Sequence, residues 1–201
     1  MDSIQSVRKE DVAIITKIHL ASFQGFFLSY LGAGFLLEFY ESIRVDSSGI
    51  FFVYRTPDGS VAGSVAGTDQ ISDFYKRLIR KRWWRFGWAA TPAFLKKPSI
   101  LPRLLRAFTL PCEPLPAPKC GTLMSIGIDP KYQGRGYGRE LVNAFLNEAV
   151  GRGCEYVNLT TDAICKDAVN AFYRHMGFDL FRSYITPEGR KMNEYLIKLS
   201  K

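Results

Sequence analysis

IGIDPKYQGRGYG, residues 126–138, decides how this chain folds. The stretch starts as a short apolar strand, breaks at Asp129-Pro130 and turns through three alternate glycines, Gly134, Gly136 and Gly138. With no Cβ at those three positions, the backbone N–H groups of Gln133 to Arg139 can close on a bulky anion. Beyond Gly138 the apolar residues Leu141, Val142, Phe145, Leu146, Ala149 and Val150 recur at helical spacing. The loop therefore stands at a helix N-terminus, where free N–H groups and the macrodipole both favour negative charge. Two readings follow: a Gly-rich cap on a strand-helix unit, or a cradle for a phosphorylated ligand.

Spacing separates the possible ligands. A dinucleotide fingerprint, G-x-G-x-x-G, would need a glycine where Arg139 stands, and no G-x-x-x-x-G-K-[ST] loop occurs. What remains is Gln133-x-x-Gly136-x-Gly138 after a strand ending in Asp129-Pro130. This resembles the pyrophosphate-binding motif with which the GNAT acetyltransferase superfamily holds acetyl-CoA. The resemblance implies that Gln133, Gly134, Arg135, Gly136, Tyr137, Gly138 and Arg139 bind the cofactor's diphosphate. It also implies that the main chain of Ile126, Gly127 and Ile128 pairs with the pantetheine arm. A glycine inside a strand marks either a bulge or the close approach of another chain, and both readings of Gly127 stay open.

A second cluster lies about thirty-five residues further on. KDAVNAFYRHMGF, residues 166–178, reads as a helix ending at Gly177. It is similar to the A/N-x-F-Y-x-x-x-G-F motif of GNAT enzymes, whose tyrosine protonates the CoA thiolate. That likeness makes Tyr173 the general acid, and the chemistry suits it, since a phenol of pKa ~10 is protonated at neutral pH. Otherwise Tyr173 packs beside Phe172. Asn170, one turn earlier, shares the face of Tyr173 and so could reach the same ligand. Many relatives place a cofactor-contacting asparagine seven residues before the tyrosine; here that position is Lys166, which either meets a CoA phosphate or is solvated. His175 is expected to face outward. Relatives often carry a basic glutamate on the strand after the cofactor helix. Here Thr160-Thr161 stands there with Asp162 adjacent, so the base is Asp162 or a chain of waters.

No cysteine has a motif-placed histidine and no G-x-S-x-G occurs, so the expected chemistry is direct acetyl transfer to an amine with no covalent enzyme intermediate. The competing function classes are a non-catalytic CoA-binding module and a membrane-surface or nucleic-acid binding protein.

The rest of the chain alternates strands and helices. Strands are expected at 4–8, 50–54, 61–66, 122–128, 156–161, 178–184 and 192–199, with main helices opening at Lys9-Glu10-Asp11 and running to Ala21 or Ser22, and at 29–43, 138–150 and 167–176. Gly32 and Gly34 interrupt the second helix near its start, and Gly34, which weakens it, is read as a candidate for its true beginning. The order is that of a GNAT-like α/β fold: a mixed, mostly antiparallel seven-stranded sheet flanked by helices. Residues 1–201 are read as one acetyltransferase domain, with residues 70–119 as a basic insertion or lid between strands 3 and 4. Within it 73–88 and 98–110 suggest helices, and Pro111, Pro114, Pro116 and Pro118 an extended connector.

Composition adds bounds. The net charge of +8 belongs to one segment: ten Lys or Arg and no acid lie between Phe74 and Leu110, leaving 17 basic against 19 acidic residues elsewhere. KRLIRKRWWRFGW, residues 76–88, interleaves six cations with Trp83, Trp84 and Trp88. It is either a solvated basic face, a contact for a membrane surface or an acidic substrate, or, less suited to its tryptophans, a nucleic-acid site. Phe26 to Tyr40 and residues 190–195 more loosely resemble acetyltransferases acting on sugar or cell-surface polymer precursors. A small or sugar-like amine, acidic or sugar-linked, is the acceptor expected. Cys112, Cys120, Cys154 and Cys165 form no C-x-x-C pair and no metal spacing, so neither zinc nor a disulfide framework is expected. With no signal-like start and no apolar run approaching ~20 residues, a cytoplasmic protein fits best.

Overall fold

The chain's computed structural model describes residues 3–23, 27–96, 119–164, 167–187 and 189–200. In order these form β1 (Ile4–Ser6), α1 (Asp11–Ser22), α2 (Phe27–Tyr30), α3 (Ala33–Val45), β2 (Gly49–Arg55), β3 (Val61–Thr68), α4 (Ile71–Lys96), β4 (Cys120–Ile128), a 3-10 turn (Pro130–Tyr132), α5 (Tyr137–Gly151), β5 (Tyr156–Asp162), α6 (Asp167–His175), β6 (Asp179–Ile185) and β7 (Lys191–Lys198). The seven strands make one sheet in the order β1-β2-β3-β4-β5-β7-β6. Every neighbouring pair is antiparallel except β4 with β5. The mixed, mostly antiparallel sheet expected from the sequence is the one found.

Two apolar cores sandwich this sheet. On one face Val12, Ile15 and Ile18 of α1, Phe35, Leu36, Phe39 and Ile43 of α3, and Phe74, Leu78 and Phe86 of α4 meet Phe51, Val53, Val61 and Ala66. On the other, Leu141, Val142, Phe145 and Ala149 of α5 and Tyr173 of α6 meet Ile50, Val65, Leu123, Val157, Leu159 and Tyr195. The central strand β3 is therefore covered on both faces, and all eight of its residues are buried. Its sequence, VAGSVAGT, supplies small side chains accordingly.

Two boundaries differ from the sequence reading. The helix expected over 29–43 is two helices, because Gly32 takes φ +90°, a left-handed value that stops α2 and precedes α3 at Ala33. The basic helix expected to end at Trp88 continues as α4 through Pro92 to Lys96; a proline within a helix removes one N–H donor and need not end it when the remaining ladder holds. The helix expected over 98–110 and the proline connector lie outside the described residues. α4 is docked on α3 by its buried face, with the Phe35 and Phe86 rings 5.0 Å apart, and by two ion pairs, Arg77 with Asp46 and Arg85 with Glu38.

The feature that positions the site is an irregularity in β4. Leu123 pairs with Gly67 and Ser125 with Ala66, so Met124 is an extra residue, a β-bulge. Gly67 lets the strands close there: a Cβ on it would lie 2.1 Å from the Thr122 carbonyl oxygen and 2.7 Å from the Phe145 ring. A bulge bends its strand and increases local twist. β4 and β5 accordingly pair at three positions only, Cys120↔Tyr156, Gly121↔Val157 and Thr122↔Asn158. From Leu123 to Ile128, β4 has β3 on one side and no ladder partner on the other, so a wedge-shaped gap opens between β4 and β5.

Candidate active site

The Gly-rich loop lies at the wide end of this gap. Asp129 caps the 3-10 turn through the Lys131 N–H (3.1 Å), and its own N–H is tied to the Ala62 carbonyl (2.9 Å). The Gln133 side-chain amide donates to the Ile128 carbonyl at 3.3 Å, folding the loop over the strand end. Gly134 and Gly136 have φ of +77° and +84°, so each needs a residue without Cβ. Arg139 and Glu140 N–H groups both return to the Gly136 carbonyl, starting α5. The N–H groups of Gly134, Arg135, Gly136, Tyr137 and Gly138 meet no acceptor among the described residues. Five unspent donors on an exposed helix N-terminus are what a diphosphate requires. Tyr137 anchors that terminus to β2 by stacking on Tyr54, with centroids 4.0 Å apart and planes at 17°. The Arg135 guanidinium lies 5.5 Å over Tyr132, at the rim.

The gap's β4 edge carries Ile126, Gly127 and Ile128. Gly127 is paired regularly with Ser64, so the bulge sits three residues before it, at Met124. A Cβ on Gly127 would stand 3.5 Å from the Phe23 ring and 3.6 Å from Ile18, which is ordinary contact. The approach of α1 to the strand therefore leaves room for a Cβ at this position. The Ile128 carbonyl is occupied by Gln133 and by the Ser22 hydroxyl (3.2 Å).

Helix α6 comes next to the loop: a Cβ on Gly138 would lie 3.8 Å from Phe172 and 3.9 Å from Ile128. Tyr173, the following residue, packs against Phe172, Phe178 and Tyr195 and is 6% exposed. Burial pushes its phenol above the ordinary range, and its hydroxyl has no hydrogen-bond partner among the described residues. Tyr173 thus has the protonated state and the uncommitted hydroxyl of a proton donor.

Asn170 and Asp162 are placed differently from expectation. The Asn170 amide is buried and committed inward: its Oδ1 accepts from Asn193 Nδ2 (3.0 Å) and the Tyr195 hydroxyl (2.9 Å), and its Nδ2 donates to the Asp162 carbonyl (3.0 Å). It pins α6 to β5 and β7, and these three hydrogen bonds hold the amide inward. Both carboxylate oxygens of Asp162 are held by Arg190, at 2.6 and 2.7 Å. That hold of one guanidinium on both oxygens makes the end of β5 a strut, with neither carboxylate oxygen left clear of the cation. His175 is exposed and its Nδ1 meets the Ala171 carbonyl at 2.7 Å, as expected of an outward residue. Lys166 lies outside the described residues.

Two buried polar chains near the gap were not foreseen. His19 Nδ1 meets the Tyr40 hydroxyl at 2.6 Å, which meets Ser125 Oγ at 2.9 Å, just past the bulge; His19 Nε2 is buried without a partner among the described residues. Burial lowers the His19 pKa to about 4, so the imidazole is neutral at pH 7. The other chain links Thr122, Asn158, Glu194 and Arg182 across four strands. Helical spacing places His19 on the buried face of α1, but strand register alone brings Glu194 beside Asn158, and no local pattern reports it. Among the described cysteines, Cys120 is buried, with its thiol pushed up to about 12, and burial also raises that of Cys154. Neither is an activated nucleophile. No cluster of metal-ligating side chains occurs among the described residues.

Comparison with known proteins matches these features. One curated relative, "N-alpha-acetyltransferase RimI" of Mycobacterium tuberculosis, is 48% identical over 54 residues, which span 27% of this chain and 32% of that protein. The ribosomal-protein-S18-alanine N-acetyltransferase of Escherichia coli superimposes with a TM-score of 0.62 at 18% identity, covering 100% of this chain and 96% of that one. yncA of Salmonella typhimurium, solved with its cofactor acetyl-CoA, gives 0.61 at 15% identity, covering 98% and 94%. At such identities the two structures bear on the fold alone. The family model described as "Acetyltransferase (GNAT) family" matches residues 16–178, which take in the gap, the Gly-rich loop and the tyrosine helix, and the chain belongs to that family.

Proposed function

We propose that this protein transfers the acetyl group of acetyl-CoA directly to an amine. The observation that carries the reading is the set of five unspent N–H groups on Gly134 to Gly138, at the mouth of a gap that lacks strand pairing on one side. On this reading the loop amides hold the diphosphate, with Gln133 and Arg139 flanking them. The β4 edge at 126–128 receives the pantetheine arm as an added strand would be received. Acetyl-CoA supplies an activated thioester whose sulfur leaves as a thiolate. Tyr173 then gives its phenolic proton to that sulfur. Main-chain N–H groups at the β4 edge steady the carbonyl oxygen as the amine adds.

The acceptor expected from the sequence is small or sugar-linked. The curated relative is named an N-alpha-acetyltransferase, and structural neighbours are titled a ribosomal-protein-S18-alanine N-acetyltransferase and a spermidine/spermine N-acetyltransferase. The test is thiol release from acetyl-CoA against amino-sugar nucleotides, polyamines and peptide N-termini, with Tyr173→Phe alongside. A loss of about 10²-fold or more in turnover with unchanged acetyl-CoA affinity supports the role of Tyr173; equal turnover removes it.

One observation favours a second, additional reading, a contact with an anionic membrane surface. Along α4, Arg80, Trp84 and Trp88 follow one another at four-residue intervals on the outward side; Trp84 is 52% and Trp88 77% exposed, while Phe74, Leu78 and Phe86 are buried. Exposed tryptophans between cations suit the lipid interface. Co-sedimentation with vesicles containing phosphatidylglycerol, lost in Trp84→Ala/Trp88→Ala and absent with neutral lipid, supports this; binding that instead follows single-stranded RNA, or neither, refutes it. No helix among the described residues is long and apolar enough to cross a membrane.

A further inference from the structure

An amine acceptor is an ammonium ion at neutral pH and must lose a proton before it can attack a carbonyl. Tyr173 cannot take that proton, because its phenol is already protonated and is assigned to the sulfur. Asp162 is clamped by Arg190. A further buried carboxylate, Glu194, lies on the sheet face away from α6.

That face is readable from β7. Asn193 and Tyr195 reach Asn170 of α6, so Glu194 between them points to the opposite face. Its register partner on β5 is Thr160, which is exposed, and Asn158 lies two residues along on the same face. Glu194 is buried at 5% exposure, and its surroundings form a continuous chain. Thr122 Oγ1 donates to Asn158 Oδ1 (2.8 Å), Asn158 Nδ2 donates to Glu194 Oε1 (2.9 Å), and Arg182 Nε donates to Glu194 Oε2 (2.6 Å). Thr122 and Asn158 are also the last pair of the β4–β5 ladder, so the chain stands at the apex of the gap.

A carboxylate so placed is oriented, with lone-pair capacity left on each oxygen. Asn158 fixes one oxygen toward the apex. Arg182, whose side chain is 40% exposed, links the other to the solvent edge of the sheet.

We propose that Glu194 is the general base of the reaction: it receives the acceptor's ammonium at the head of the gap and takes a proton from it. This rests on the acetyltransferase reading above. Two protons leave the nitrogen over the whole reaction. The first passes to a Glu194 oxygen, converting carboxylate to carboxylic acid and freeing the nitrogen lone pair, and then goes to solvent. As the C–N bond forms and the C–S bond breaks, the second is released to water and balances the proton that Tyr173 gives the sulfur.

The experiment measures kcat/KM between pH 5.5 and 10 on the fastest acceptor of the panel, for the wild type, Glu194→Gln, Glu194→Asp and Arg182→Met, with acetyl-CoA affinity by calorimetry and thermal unfolding of each. Glu194→Gln should lose about 10²- to 10³-fold at pH 7. That deficit should shrink about tenfold per pH unit as free amine accumulates, with acetyl-CoA affinity unchanged. Glu194→Asp should recover part of the loss. Arg182→Met keeps the carboxylate but removes the cation favouring its ionised form, so the acid limb of its profile should move to higher pH. If all three variants keep the wild-type profile shape and merely lose amplitude in proportion to lost thermal stability, Glu194 is a structural ion-pair partner and the proposal is overturned. Absence of acetyl-CoA binding by the wild type would instead overturn the acetyltransferase reading, and this proposal with it. Should Glu194→Gln fail to fold, the direction of the Arg182→Met shift decides.

Discussion

Replacing Asn170 by alanine should make the protein much easier to unfold while leaving its grip on acetyl-CoA intact. The Asn170 amide satisfies three buried groups at once: the Asn193 side-chain N–H, the Tyr195 hydroxyl and the Asp162 carbonyl, at 3.0, 2.9 and 3.0 Å. A buried polar group left without its partner costs about 1–3 kcal/mol, and three neighbouring losses, not strictly additive, come to about 4 kcal/mol. For a chain of this size, with a urea m-value of about 2 kcal/mol/M, the midpoint should fall by about 2 M. The melting temperature should fall by about 10 °C. The assay is urea unfolding followed by tryptophan fluorescence, paired with calorimetric titration of acetyl-CoA at a temperature where the variant is folded. A ligand-contacting asparagine would give the reverse pattern. Wild-type stability combined with a tenfold or larger loss of acetyl-CoA affinity would refute the inward placement and restore the reading that spacing alone suggests.

Three further outcomes follow from the same geometry. Gly136→Ala should weaken acetyl-CoA binding, since a left-handed φ of +84° strains any L side chain by about 1–2 kcal/mol; Gly138→Ala, whose Cβ meets nothing nearer than 3.8 Å, should leave calorimetric affinity much closer to wild type. His19 is neutral when folded, with a pKa of about 4 against 6.5 when free. The unfolded chain therefore binds a proton at pH 5 that the native one does not. The contribution is fully present above pH 6.5 and is lost as the pH falls through 4, amounting to about 3 kcal/mol; His19→Leu should flatten urea stability over that window relative to wild type, and an unchanged slope would count against it. Cys120, its thiol pushed up to about 12 by burial, should resist iodoacetamide at pH 8 in the native state and react on unfolding, as read by mass spectrometry.

The sequence makes the sheet and the loop legible because both are written in local pattern. Alternation marks the strands, and the glycines at 134, 136 and 138 with the heptad-like apolar run after them mark the turn into α5. Even so, Gly127 and Gly138 look alike in the sequence to the two glycines that need positive φ, and only backbone angles and neighbours separate them. Asn170 shows how far helical spacing reaches. It puts Asn170 and Tyr173 on one face, and both are indeed buried, but it cannot say that the amide is spent on Asn193 and Tyr195. The polar chains are less legible still. Tyr40 and Ser125 are 85 residues apart, as Asn158 and Glu194 are 36 apart, and each pair is created by register and by the bulge at Met124.

That bulge leaves the sheet with a seam. Four strands lie on one side and three on the other, and among the described residues the β4–β5 ladder that stitches them together is confined to the pairs at residues 120–122 and 156–158. A molecule lying along the opening is thus a missing rung as much as a guest, since it supplies donors and acceptors to edges that would otherwise face water. Occupancy should therefore stiffen the seam itself. Amide exchange would register this first at Thr160 and Ile126, on the two lips, while the helices on either side exchange as before.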